Sequence, residues 1–227
     1  MSLLRIVAIS DTHLTRPTIP DGDVLIHAGD LCARGTHDEF QSGVAWLGRQ
    51  PHALKIFVPG NHDRWVFDYR MEAEHSCRER GVTIMVDKTM EYRGFSFRGN
   101  PWTPQFGWTK AYMYKPEHAA EYWHDLQYSD VLISHGPPAG ILDRCPLPVG
   151  CPEMLKAVER TQPRVHIFGH IHPCGGGVRT VEWESGHATT FINACTVRTG
   201  YTASELGDPL VFTLERFDGG IRVCFSI

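Results

Sequence analysis

Residues 165–172 read VHIFGHIH, a strand-like run that ends in a glycine and two histidines spaced two apart. Glycine lets a chain turn where a side chain would strain it, and a short apolar run bounded by such a turn reads as a strand buried on both faces. The same construction recurs towards the N-terminus. LRIVAISDTH covers Leu4–His13, VLIHAGD covers Val24–Asp30, LKIFVPGNHD covers Leu54–Asp63 and VLISHG covers Val131–Gly136. Each run closes on residues able to bind a metal: Asp11 and His13, Asp30, Asn61 with His62 and Asp63, His135, and His170 with His172. In an open α/β sheet, ligands bind beyond the carboxyl ends of the strands, so five strand ends spread from Asp11 to His172 can address one pocket.

Between these runs, and a further one at Val82–Val86, lie stretches of helical character over 38–49, 64–80, 116–126 and 152–160, two of them opening on proline. That alternation predicts an α/β fold. Segments 91–98, 178–183, 189–193, 210–217 and 221–225 read as strands in succession, the last two joined by Asp218-Gly219-Gly220. Mixed sheets flanked by helices are therefore expected, with loops at 101–108, 136–152 and 173–177.

The 227 residues carry a formal charge of -4 and 21% charged side chains. This is not the basic footprint that affinity for a phosphate backbone requires, so nucleic acid is disfavoured as a partner. A single domain over 1–227 is expected, large enough to bury most of its unfolded surface. No run reaches the roughly 18 apolar residues of a membrane span, and the opening MSLLRIVAIS reads as a first strand. Seven scattered cysteines fit a reducing compartment better than a disulfide framework, and the expected location is the cytoplasm. The oligomeric state is left open, a homodimer among the options.

Asp11, His13, Asp30, Asn61, His135, His170 and His172 are too many for one tetrahedral ion but suit two if a carboxylate bridges them. Asp30 is the natural bridge. Oxygen and imidazole donors without thiolate point to two divalent ions among Mn, Fe, Zn and Co, which affinity order alone does not separate; Mn is taken as foremost. Two such cations, less two carboxylates and a hydroxide, leave about +1 in the pocket, which favours an anion. Cations roughly 3.5–4 Å apart can each take a phosphoryl oxygen while a bridging hydroxide attacks in line. His62, next to Asn61, is the candidate acid for the departing alkoxide, because imidazole titrates near neutral pH.

Taken in order, D-x-H at 11–13, GD at 29–30, GNHD at 60–63, His135 and GHIH at 169–172 resemble the signature of the calcineurin-like metallophosphoesterases. The resemblance spans 6–172 and implies a four-layer α-β-β-α sandwich of two mixed sheets flanked by helices. It also implies that Asp11, His13, Asp30 and His172 hold one ion, that Asp30, Asn61, His135 and His170 hold the other, and that His62 is catalytic. GNPWTPQFGW (99–108), SHGPPAGILD (134–143), VGC (149–151) and RVHIFGHIH (164–172) are similar to the metallophosphoesterase-domain-containing subfamily, which implies small phosphodiester or nucleotide substrates, cyclic nucleotides included. One branch of that subfamily carries glycine in place of His170; the histidine here implies a complete second site. The GD-x-x-DRG of Ser/Thr phosphatases is not matched, since Ala33 stands where the second Asp would be. That counts against a protein phosphatase and leaves Asp63 or a backbone carbonyl to orient His62. The alternatives are a phosphomonoesterase or nuclease on the same metals, or a nucleotide-binding scaffold with little turnover.

Asp63 reads equally as a helix N-cap or as the catalytic partner of His62. His27 and His166 lie inside apolar strands and read as hydrogen-bonded core residues or as supports of the ligands, whereas the remaining histidines read as surface or packing residues. Trp102, Phe106, Trp108 and Tyr112 share one loop, where they either stack on a nucleobase or anchor the loop. Arg34, Arg144 and Arg198 read as phosphate clamps or as surface charges.

Overall fold

The computed structural model describes residues 2–107, 111–197 and 206–225. The strands are β1 Ser2–Ile9, β2 Val24–His27, β3 Leu54–Phe57, β4 Thr83–Ile84, β5 Lys88–Tyr92, β6 Phe95–Asn100, β7 Thr103–Pro104, β8 Met113–Tyr114, β9 Val131–Ser134, β10 Arg144–Cys145, β11 Leu147–Pro148, β12 Val165–Phe168, β13 Val178–Glu182, β14 Ala188–Asn193, β15 Leu210–Phe217 and β16 Gly220–Phe225. The helices are α1 His37–Gly48, α2 Arg64–Asp68, α3 Arg70–Glu79, α4 Ala119–Trp123 and α5 Pro152–Thr161.

One six-stranded sheet has the order β16-β15-β1-β2-β3-β4, the other β13-β14-β12-β9-β6-β5. In the first, β1 to β4 run parallel and β15 and β16 antiparallel. In the second, β14, β12, β9 and β6 run parallel and the edges β13 and β5 antiparallel. Both sheets are mixed, as expected.

Alternation along the strands builds the layers. Leu4, Ile6 and Ala8 of β1 face inward with Ile26, Ile56, Phe97, Ile133 and Ile167 to form the core between the sheets. Their neighbours Val7 and Ile9 face outward, where Phe40, Val44 and Leu47 of α1 and Ala73 and Cys77 of α3 cover them. On the opposite outer face Leu132, Phe168 and Phe191 meet Trp123 of α4 and Met154 and Val158 of α5. Burying each such Leu, Ile or Phe contributes about 1.5–3 kcal/mol. Strands covered on both faces have no solvent side, which is why they read as continuous apolar runs. The result is the four-layer α-β-β-α sandwich.

Several elements depart from the sequence reading; the stretches expected as loops at 101–108 and 136–152 carry the short strands β7, β10 and β11. The helix expected over 64–80 breaks at Tyr69, whose φ of -127° and ψ of 58° lie outside helical geometry. The break gives α2 its own direction, and Phe67 meets the rings of Trp102 and Tyr112 at 6.4 and 5.3 Å. The strand expected over 91–98 is a hairpin whose two-residue loop, Arg93-Gly94, takes positive φ at both positions, as a type I′ turn requires. The helix expected over 116–126 begins as a 3-10 turn at Pro116–His118 before α4.

Candidate metal centre

Several ligand positions adopt backbone conformations that side chains rarely take. Asp11, His13, Asp30 and His170 have φ of 53°, 43°, 57° and 66°. Left-handed φ at non-glycine residues costs of order 1 kcal/mol or more each and persists only where the surroundings over-determine it. Here hydrogen bonds between the strand ends do so. The amide of Asp11 donates to Gly29 O at 2.8 Å and that of His13 to Asp30 O at 3.1 Å, while the amide of His170 donates to Asp11 Oδ2 at 2.8 Å. Glycine is required at position 169 because a Cβ there would run into Asp11 Oδ2 and Ser10 Oγ.

The side chains converge as the strand ends predict. Asp30 Oδ2 stands 3.3 Å from His135 Nε2 and 3.9 Å from His13 Nε2. His135 Nε2 also lies 2.9 Å from Asn61 Oδ1, and its ring centroid is 4.9 Å from that of His170. On the other side Asp11 Oδ1 stands 3.3 Å from His172 Nε2, and the His172 and His13 rings are 5.4 Å apart. Ligand atoms of Asp11, His13 and Asp30 lie within 4.8 Å of one another, and so do those of Asp30, His135 and His170. Asp30 belongs to both groups, the place a bridging carboxylate must occupy.

The imidazoles are oriented by backbone carbonyls. His135 Nδ1 is 3.0 Å from Ala28 O and His13 Nδ1 is 3.0 Å from Cys32 O. A carbonyl facing Nδ1 holds the proton there and turns Nε2 inward as a lone pair, the usual preparation of a metal-binding histidine. Asp11 Oδ1, fully buried, accepts no hydrogen bond. Buried polar atoms are otherwise almost always satisfied, so this oxygen and the inward imidazole nitrogens fit divalent cations.

The electrostatics agree. Burial raises the Asp11 carboxyl, but the imidazoles of His172, His135 and His13 outweigh it and hold the group well below the usual carboxylate range. Asp30 is held low against burial chiefly by His135. Burial lowers His135, yet the facing Asp30 pushes it up to about 9, whereas burial takes His170 down to about 4. A proton on His135 thus balances the carboxylates until a cation replaces it, so that metal binding competes with protonation.

His62 donates its backbone amide to Asp30 Oδ1 at 2.7 Å, and its Nδ1 lies 2.6 Å from Ala33 O. A backbone carbonyl, not Asp63, therefore orients the ring. Asp63 is fully buried and accepts the amides of Asp30, Leu31, Cys32 and Gly60 at 2.9, 3.3, 2.9 and 2.8 Å. Asp63 does stand at the N-cap position of α2, but its side chain makes no cap hydrogen bond; the expectation that it partners His62 is corrected, because its oxygens are committed to those amides.

Among the expected substrate residues, Trp102 donates Nε1–H to Asp87 Oδ2 at 2.8 Å and packs on Tyr122 at 4.7 Å; it anchors its loop and is not presented for stacking. Phe106 of the same loop is 57% exposed, with its ring 5.7 Å from that of His170. Arg34 is exposed next to Ala33, so it flanks His62 without a contact that defines a clamp. Trp108 and Arg198 lie outside the described residues. His27 and His166 sit behind the ligand loops, with Nε2 at 2.9 Å from Thr12 Oγ1 and 2.8 Å from Ser134 Oγ respectively. Cys195, absent from the sequence reading, brings Sγ within 4.8 Å of ligand atoms of Asp11 and His172. It follows β14, a sixth strand ending at the pocket, but Ala194-Cys195-Thr196 has no spaced ligand pair to betray it.

A two-sheet sandwich that pools two carboxylates, an amide and four imidazoles at its strand ends has the make-up of a metal-dependent hydrolase. The profile of the Calcineurin-like phosphoesterase family matches residues 4–174, and the chain belongs to that family of metal-dependent phosphoesterases. It is similar to a UPF0046 protein of Caenorhabditis elegans, 37% identical over 229 residues, with 94% of this chain and 76% of that protein covered. It is also similar to Metallophosphoesterase domain-containing protein 1 of Homo sapiens, 34% identical over 240 residues, with 92% of this chain and 71% of that protein covered. The fold resembles that of GAP50, the anchor in the inner membrane complex of Plasmodium, with a TM-score of 0.56 at 12% identity over 99% of this chain and 84% of that one. Among the described residues no helix is long and apolar enough to cross a membrane.

Proposed function

We propose that the chain hydrolyses small phosphodiesters, cyclic nucleotides among them, at two divalent cations. Asp11, His13, Asp30 and His172 hold one, and Asp30, Asn61, His135 and His170 the other, with Mn foremost and Fe, Zn or Co as alternatives. The observation that carries the reading is the position of Asp30, whose Oδ2 faces both His13 and His135 across 3.9 and 3.3 Å. When bound, the cations supply Lewis-acid charge for the phosphoryl oxygens and an activated water.

The chain's own residues supply the rest. Asp11 and Asp30, held ionised, fix the charge of the pocket at about +1 once two cations and a hydroxide are counted. A diester carries one negative charge and matches it, whereas a monoester carries up to two. With its Nδ1 proton held by the Ala33 carbonyl, His62 delivers a proton to the departing alkoxide from Nε2.

Paired aryl mono- and diesters, assayed after chelation and again after Mn is restored, test the reading. Diester turnover should vanish with the metal and return with it, exceeding monoester turnover throughout. A large monoester preference would reject the substrate class, and turnover indifferent to chelation would reject the centre.

A further inference from the structure

The end of β14 is tied to the centre from both sides. Ser10 and Cys195 form a parallel bridge, and the amide of Thr196 donates to Ser10 O at 2.9 Å. Asn193 donates Nδ2 to Ile171 O at 3.1 Å, between the two GHIH histidines, and accepts the Cys195 amide at 3.1 Å. These ties carry the thiol to the Asp11/His172 edge, where Sγ, a carboxylate oxygen and a ring nitrogen all lie within 4.8 Å of one another. Cys195 is 2% exposed and Asp11 0%. The Asp11 oxygen that accepts no hydrogen bond is Oδ1, the one facing His172. A buried carboxylate oxygen that is ion-paired with the His172 ring across 3.3 Å but meets no well-aligned hydrogen-bond donor, beside a thiol, marks a cation position in which the sulfur takes part.

We propose that Cys195 is a thiolate donor to the cation on the Asp11/His172 side, giving that position a mixed oxygen, nitrogen and sulfur set. Thiolate selects softer cations, so at this position Zn or Co replaces the Mn put foremost above, and the added negative charge brings the pocket from about +1 to about 0 once the thiolate is counted. The Asp30/His135/His170 group contains no thiol and keeps the harder preference. Coordination forms one metal–sulfur bond and releases the thiol proton to water, with no change of oxidation state. The S–H bond now directed at Val197 O, 3.0 Å away, is the one given up. The inference rests on the dinuclear centre proposed above.

Cobalt(II) titration of the chelator-stripped full chain separates the two. The wild type should bind two ions and show a thiolate-to-cobalt charge-transfer band in the near ultraviolet. Cys195→Ser should bind cobalt without that band, and Cys174→Ser, which alters the half-buried thiol after His172, should keep it. In competition experiments Cys195→Ser should lose more Zn affinity than the roughly 10–100-fold that an outer-shell partner is worth, while Mn affinity changes far less. Two bound cobalt ions without the band in the wild type, a result independent of any variant's folding, would overturn the role of Cys195 alone. A band that persists in Cys195→Ser would overturn it equally. Failure to bind cobalt at all would instead overturn the metal centre.

Discussion

His62 is held through two different atoms, and each hold belongs to a different task. Its amide ties the GNHD turn to Asp30 Oδ1, and its ring is set by the Ala33 carbonyl. His62→Ala removes the ring and keeps the amide, so turnover of a diester should fall by roughly 10²–10⁴-fold, the range for a lost general acid. Metal content should be unchanged, as elemental analysis of the purified variant would show; loss of both together would make the residue structural. Asp63 invites the opposite experiment. Asp63→Asn replaces two acceptor oxygens by one and turns an amide N–H₂ towards backbone donors, which should lower stability in a denaturant titration by about 2–4 kcal/mol. The convergence of the candidate ligands was legible in the sequence because spacing places them at strand ends. The role of Asp63 was not, because nothing in the order of residues tells a carboxylate that faces a pocket from one that gathers four amides behind it.

At the scale of elements, burial decided what could be read. The strands β1, β2, β3, β9 and β12 are covered on both faces, so their apolar runs survive as a signal. The half-exposed β5 carries the mixed sequence KTMEY, and its hairpin turns on Arg-Gly where Asn-Gly is the recognisable signal. The break at Tyr69 was hidden for another reason: Tyr69 is neither Gly nor Pro, and the stacking of Trp65 on Tyr69 at 5.6 Å accompanies it only in three dimensions. Gly94 offers a test of the turn. Its φ is 81° and a Cβ there would meet nothing within 4 Å, so Gly94→Ala introduces backbone strain with no clash. Stability should drop by about 1–2 kcal/mol with diester turnover unaltered; an unchanged denaturation midpoint would show that the loop does not need left-handed backbone.

Across the whole molecule, each of the two facing sheets carries one buried histidine behind the ligand loops, and together they make the fold sensitive to acid. Burial takes both His27 and His166 down to about 3 from an ordinary 6.5. The folded chain keeps these rings neutral while the unfolded chain protonates them below about pH 6.5, so the unfolded state binds more protons as the pH falls. Stability is therefore fully present above that value and is lost towards pH 3, by about 1.4 kcal/mol per pH unit for each ring. His166 is the cleaner probe, since it touches Ser134 and no candidate ligand. Urea titrations of the chelated protein between about pH 7 and pH 5 keep cation loss out of the comparison. Over that range the wild type should lose stability, and His166→Gln should show a slope shallower by about 1 kcal/mol per pH unit on average, rising to about 1.4 towards pH 5. Equal slopes would mean that the ring is already charged in the folded protein, and hence that the outer face of the second sheet admits water that the packing of Phe168, Phe191 and α5 excludes.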